Sequence, residues 1–551
     1  MKITKLVLGL GIASLALSSC KTTKATSTKK VTPVMVTATD GIVAKKSEMT
    51  EEELKSWPHM DIFKDSVPGM SLAKAYDFVK NKKSTTVIVG IIDSGVDIEH
   101  EDLKDVLWTN PKEIPGNNKD DDGNGYVDDM HGWNFLGDID KEDLEYIRIV
   151  KNPSITSKEE AERAKAFLEN EISNAKMSKM RYEMMLQGVK NAHAGLTKHF
   201  GKEDYTKEEV MAFKSDDGAM KQNLAIANQI YGFGLPTLTA AIPELEKILE
   251  SSAALLNGDN LKNNFRKVLN DDENDFSKKS YGDNNVLGKG EHELHGTHVA
   301  GIVAASRNNG IGMNGVASNV EIMSVRAVPD GDEYDKDVAL AIRYVVDNGA
   351  KVVNMSFGKG YSPHSDWVYD AMKYAAKHDV LLIKAAGNAG HDIDVAKNLH
   401  FPTDSPVTGS EEITDNVLTV GAITRNFDKN LCANFSNYGK TRVDVFAPGL
   451  EIYSTVPKDS KYRFLQGTSM ASPEVAGVAA MVRSYYPKLT AKQVKYIIMN
   501  SGIEFHKDVI LPGSQSRENP DGETKNFDEL SVNGRILNAY NALLMADKMS
   551  K

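Results

Sequence analysis

Residues 85–95 read Thr85-Thr86-Val87-Ile88-Val89-Gly90-Ile91-Ile92-Asp93-Ser94-Gly95. From Thr85 to Ile92 nearly every side chain is β-branched and apolar, without polar alternation. That is the pattern of a central strand buried on both faces of a parallel sheet. Asp93 stands at the carboxyl end of this strand, the edge where ligand sites gather in open α/β sheets. Stretches of similar character follow at 321–327, 351–355, 380–385, 417–420 and 443–446, with helical runs at 336–348 and 365–378 between them. Strands alternating with helices predict an α/β domain built on a doubly wound, mostly parallel sheet.

A chain of 551 residues is long for one such core, so an insertion or second module is expected. The interval between residues 93 and 295 supplies it, since roughly 200 residues far exceed a compact link. Ser157 with Glu160 and Thr206 with Glu209 read as capping boxes. Ala161, Ala164, Leu168, Ile172 and Ala175 recur at helical spacing, and a second helical stretch covers 242–256 after a Gly-Pro break at 232–236. Residues 140–275 are read as a helical insertion. It is either a stabilising extension or a lid over a neighbouring site.

The amino terminus carries a charged start, Met1-Lys2-Ile3-Thr4-Lys5, an apolar run over 6–17, and Leu17-Ser18-Ser19-Cys20. The run is too short to be a permanent membrane span. It resembles a bacterial lipoprotein signal, which implies cleavage before Cys20 and lipidation of that cysteine; an uncleaved secretory signal is the alternative. Residues 21–50, rich in Lys, Thr and Ser, read as a flexible tether. Trp57, Phe63, Val67, Leu72 and Tyr76 read as an arm packed on the core. With Cys20 lipidated, Cys432 has no partner for a disulfide and reads as a small buried hydrophobe. The formal charge of −11 and the absence of a basic stripe beyond the tail argue against a nucleic-acid partner. The resulting division is 1–20 signal, 21–50 tether, 51–139 and 276–551 as the two parts of the main domain, and 140–275 as the insertion.

Two further motifs join Asp93: His295-Gly296-Thr297-His298-Val299-Ala300-Gly301, and Gly467-Thr468-Ser469-Met470-Ala471-Ser472-Pro473. Asp, His and Ser in that order along the chain resemble the subtilisin-like serine proteases and differ from other triad enzymes. The resemblance covers roughly residues 55–135 and 280–548 and implies a subtilisin-type sheet with the helical insertion between Asp and His. It implies Ser469 as nucleophile, His295 as base and Asp93 as the carboxylate that orients it. Leu382-Ile383-Lys384-Ala385-Ala386-Gly387-Asn388 resembles the family segment whose Asn side chain donates to the oxyanion, here Asn388. Ser356, Phe357, Gly358 and Ala385, Ala386, Gly387 match the two backbone walls of the family's primary pocket. Neither wall contains an acid, so a preference for apolar or aromatic side chains before the scissile bond is expected. The cluster His292, Glu293, His295 and His298 lacks the spacing of a zinc metalloprotease helix, because Gly296 stands where the second His would be needed. His298 is read as structural.

Asn118, Asp120, Asp122, Asn124, Tyr126 and Asp129 follow the spacing of an EF-hand loop, with Gly123 at its sixth position. The family resemblance, which implies calcium for stability, points the same way; a hydrated turn is the alternative. Taken together, the sequence reads as an exported, lipid-anchored serine endopeptidase of the bacterial cell envelope, at the outer membrane. Its expected partners are peptide or protein substrates and, through Cys20, the membrane. A peptide ligase or cyclase using the same acyl-enzyme, and a non-catalytic binding protein on this fold, are the alternatives from other classes.

Overall fold

The apolar run of residues 85–92 forms β1, Val87–Asp93, at the centre of the sheet in the computed structural model, which describes residues 34–232, 235–289, 294–406 and 411–551. Cys20, His292, Glu293 and part of the 232–236 break lie outside the described residues. Successive side chains of β1 face opposite sides. Val87, Val89 and Ile91 enter the core shared with helices Leu294–Ala304 and Thr468–Tyr485. Ile92 enters the core shared with helices Asp335–Asp347 and Ser365–Lys377. Burying each such side chain stabilises the fold by about 1.5–3 kcal/mol, which explains why a strand covered on both faces shows no polar alternation.

Along the chain follow β2 Gly132–Asn134, β3 Val320–Arg326, β4 Val352–Met355, β5 Leu381–Ala385, β6 Val417–Ile423 and β7 Val445–Pro448. Next come β8 Ile452–Thr455, β9 Tyr462–Leu465, β10 Ile503–Glu504, β11 Asp508–Ile510, β12 Thr524–Asn526 and β13 Arg535–Ile536. Nine of these strands form one sheet in the order β10-β13-β7-β6-β5-β4-β1-β3-β2. All neighbours in it are parallel except β10 and β13. The expected α/β class and mostly parallel sheet are therefore observed. β1 lies between β3 and β4, so the chain builds outward on one side of it and then on the other. The crevice at such a reversal, at the carboxyl ends of the strands, is where these sheets bind ligands.

The insertion contains helices Glu145–Lys151, Lys158–Phe200, Lys207–Ala212, Gly218–Gly232 and Leu238–Leu256. At 43 residues the second is about 65 Å long. Thr206 and Glu209 form a reciprocal capping box. At Ser157 only half of the expected box exists, because the Glu160 carboxylate is held by Thr156 and Arg163 instead. The far end of the insertion has its own core around Val189, Leu196, Ile230 and Leu245. Its near end is keyed to the sheet domain by buried ion pairs. Arg266 holds Asp337 through bonds of 2.8 and 2.6 Å, and Lys336 holds Asp271 at 2.7 Å.

Residues 36–45 lie within the stretch expected as a tether, but they are seated on the main domain. The Thr37 carbonyl accepts from Glu504 N at 2.9 Å, Lys45 N donates to Ser66 O at 3.2 Å, and Asn541 holds the Val36 carbonyl at 2.7 Å. Backbone pairing beside the short edge strand β10 is a tertiary effect that composition does not show. Trp57, Val67 and Leu72 are buried and the Tyr76 hydroxyl donates to Val316 O at 2.7 Å, whereas Phe63 is exposed at the surface. Cys432 is a free, buried thiol whose pKa is pushed up by burial.

Candidate active site

Asp93 closes β1 with its carboxylate almost fully buried, and Oδ1 lies 2.7 Å from His295 Nδ1 while accepting from Ser94 N at 2.8 Å. The helix that carries His295 reaches the strand end because two glycines meet there. A methyl group built on Gly296 would stand 2.2 Å from Gly95 O, and one on Gly95 would stand 2.5 Å from Leu287 O. Burial pushes the His295 pKa down, but the charge and hydrogen bond of Asp93 outweigh it and hold the imidazole above its usual value. His298 faces away from this pair. Its Nε2 donates to Ile452 O and Arg463 O, both at 3.1 Å, and burial pushes its pKa down to about 3.

Ser469 is the second residue of helix Thr468–Tyr485. Its backbone N–H belongs to the first turn, where amides lack intrahelical partners and the helix dipole favours negative charge. In this conformation Ser469 Oγ donates to Ser356 O at 3.0 Å, and Ser356 Oγ donates back to Ser469 O at 2.8 Å. Asn354 and Ser472 extend the link: Asn354 Nδ2 donates to Ser356 Oγ at 2.9 Å, and Ser472 Oγ donates to Asn354 Oδ1 at 2.7 Å. These two buried residues position the end of β4 against the serine helix. Sequence reasoning missed them, although Ser472 stands inside the serine motif.

Asn388 is exposed and oriented through its oxygen. Oδ1 accepts from Thr468 N at 2.8 Å and from Thr468 Oγ1 at 3.0 Å, leaving Nδ2 without a partner among the described residues. A methyl group built on Gly467 would lie 3.5 Å from both Asn388 Nδ2 and Ser469 N. Two N–H donors thus border one small space beside the serine. The two segments expected to wall the primary pocket, Ser356-Phe357-Gly358 and Ala385-Ala386-Gly387, continue from β4 and β5 toward this end of the sheet. His400, which the sequence reading passed over, has its ring between their terminal glycines. Just beyond the first wall, Lys359 binds Glu145 of the insertion at 2.6 Å.

The acidic loop differs from the expectation. Asp120 and Asp122 do come together, but their third partner is Glu113, and carboxylate oxygens of the three lie within 4.8 Å of one another. Asp129 is occupied elsewhere: Asn110, Asn124 and Tyr344 donate to its oxygens at 2.8, 3.0 and 2.6 Å. Asn118 has its backbone N–H held by Asp128, and Tyr126 packs its ring on Trp133, Phe135 and Tyr344. The loop runs between a 3-10 turn at Lys104–Val106 and β2, so no helix pair frames it as in an EF-hand. Glu113 Oε1 accepts from Asp121 N and Asp122 N, while its buried Oε2 has no hydrogen-bond partner.

A sequence profile of the Subtilase family, Peptidase S8, matches residues 84–534, and the chain belongs to this family. It is 42% identical over 191 residues to the Thermophilic serine proteinase of Bacillus sp. (strain AK1), a match covering 34% of this chain and 42% of that protein. It is 33% identical over 278 residues to the Cell wall-associated protease of Bacillus subtilis (strain 168), covering 48% and 28% respectively. With Subtilisin DY of Bacillus licheniformis the identity is 38% over 202 residues, covering 36% and 67%. The chain spans less than half the length of the first two relatives.

Proposed function

We propose that this chain is a serine endopeptidase working through an acyl-enzyme on Ser469. The observation that carries the reading is the 2.7 Å Asp93–His295 bond, made at the carboxyl edge of the same parallel sheet whose strands β4 and β5 lead into Ser356, the partner of Ser469 Oγ, and into Asn388. The Ser469 hydroxyl leaves Ser356 O and gives its proton to His295 Nε2 as Oγ attacks the carbonyl carbon. Asp93 accepts from Nδ1–H throughout, holding the tautomer and stabilising the imidazolium. The oxyanion lodges between Asn388 Nδ2 and Ser469 N–H. His295 then protonates the leaving amine, and water, deprotonated by the same imidazole, releases the acyl group.

Asn388→Ala is expected to lower kcat by about 100- to 1000-fold with little change in KM, the scale set by the equivalent donor in subtilisin. Steady-state hydrolysis of a chromogenic peptide checks it. An unchanged kcat would remove Asn388 from the oxyanion site.

We further propose that Glu113, Asp120 and Asp122 hold a calcium ion. An all-oxygen set suits a hard cation. The unpartnered Oε2 of buried Glu113, close to two other carboxylates, supports the reading because without a cation those charges repel. Calcium at 1,000 times its Kd should stabilise the fold by about 4 kcal/mol. Thermal denaturation with calcium or chelator should show that gain in wild type and its loss in Glu113→Gln. Equal melting in both conditions would contradict the site.

Export and anchoring through Cys20 are proposals resting on the leader motif. Among the described residues, no helix is long and apolar enough to cross a membrane. Mass spectrometry of the protein from its membrane fraction tests the modification. A chain retaining residues 1–19 would count against it.

A further inference from the structure

Both walls of the primary pocket end in glycine, and the imidazole of His400 stands between them. A methyl group built on Gly358 would lie 2.2 Å from His400 Cε1 and 2.8 Å from Nδ1. One built on Gly387 would lie 2.8 Å from Cδ2 and from Nε2. Two edges of a single ring therefore touch opposite walls, and at that depth the slot is filled.

Backbone hydrogen bonds fix where residue 400 sits. Phe401 and Lys359 exchange hydrogen bonds in both directions, at 2.8 and 2.9 Å, which holds residue 400 beside the first wall. On the other side the buried Lys384 ammonium donates to the His400 carbonyl at 3.3 Å. The ring itself is held by packing: Nδ1 is buried without a hydrogen-bond partner. Burial, with the Lys384 charge adding to it, pushes the imidazole pKa down to about 3, so near neutral pH the ring is uncharged.

Resting on the peptidase reading above, we propose that His400 is the specificity-determining residue of this chain. Its ring shortens the slot, so the side chain preceding the scissile bond must be short, of alanine or serine size. Large apolar and aromatic side chains, which the composition of the walls alone would favour, meet the ring before they can enter. The substrate class is thus peptides cleaved after small residues.

The test compares the full-length wild type with His400→Gly and His400→Ala on peptides that differ only in the residue before the scissile bond: Gly, Ala, Ser, Leu or Phe. One methylene accepted or refused by an apolar pocket changes kcat/KM by about 10- to 200-fold. Wild type should favour Ala and Ser over Leu and Phe by at least about tenfold on that scale. Both variants should gain on Leu and Phe while keeping their reaction with a fluorophosphonate at Ser469, which reports an intact site. A wild type that favours Leu or Phe overturns the inference, whatever the variants do. So does an unchanged order of preference in variants that still react with the fluorophosphonate. Absence of any cleavage by folded wild type would overturn the peptidase reading and this inference with it.

Discussion

Ser469→Ala is expected to lower kcat for peptide hydrolysis by about a millionfold, the scale on which loss of the nucleophile was measured in subtilisin. The loss is this large because Ser469 alone is assigned to form the acyl-enzyme; among the described residues the neighbouring hydroxyls of Ser356 and Ser472 donate to Ser469 O and Asn354. A residual rate about 10³–10⁴ above water should persist, since Asn388 and the helix amide still bind the oxyanion. Adding His295→Ala should cost little more, because the two residues act as one unit. The fold should be nearly untouched, as Ser469 Oγ makes one hydrogen bond, to Ser356 O. Progress curves at high enzyme concentration, with a melting curve for each variant, check both statements. A mutant within tenfold of wild type would contradict the assignment.

Asp93→Asn is expected to cost about 10⁴-fold in kcat, again a magnitude established for a serine-protease triad. An amide that donates toward His295 Nδ1 makes that nitrogen an acceptor and moves the ring proton to Nε2, the atom that must accept from Ser469. The pH profile carries a second sign. In wild type His295 titrates above its usual value, because the attraction of Asp93 exceeds the effect of burial. Activity should therefore rise as the pH passes upward through that raised value and the base becomes neutral. In Asp93→Asn only the downward push of burial remains, so the acid limb should shift to lower pH. The same linkage makes the contribution of the charged pair to stability fully present below about pH 6.5 and lost as the pH climbs through the folded pKa. A mutant whose profile does not move would separate Asp93 from the titration.

The central strand was legible because β1 is buried on both faces and so is apolar at consecutive positions, a pattern that short-range sequence reading detects. The strands β2, β10 and β13 were not legible, at three, two and two residues, since their pairing comes from neighbours distant in sequence. In the insertion, Ala164, Leu168 and Ala175 of the long helix are buried as their spacing predicts, but nothing local shows how far that helix runs. The site divides in the same way. Asp93, His295, Asn388 and Ser469 stand in motifs whose spacing is fixed by strand ends and helix starts. Glu113 lies outside the acidic motif and reaches Asp120 and Asp122 by a turn of the chain, so the spacing of the motif did not point to it. His400 acts by touching two glycines that belong to different walls, a contact visible only once β4 and β5 are side by side.

The most direct test of the account is the reaction of the full-length protein with a fluorophosphonate, read by intact mass and by mapping the modified peptide. Wild type should gain one adduct at Ser469, His295→Ala should gain it far more slowly, and Ser469→Ala should gain none. A folded wild type that stays unmodified, or an adduct on another residue that persists in Ser469→Ala, would contradict the claim that Asp93, His295 and Ser469 form an activated nucleophile.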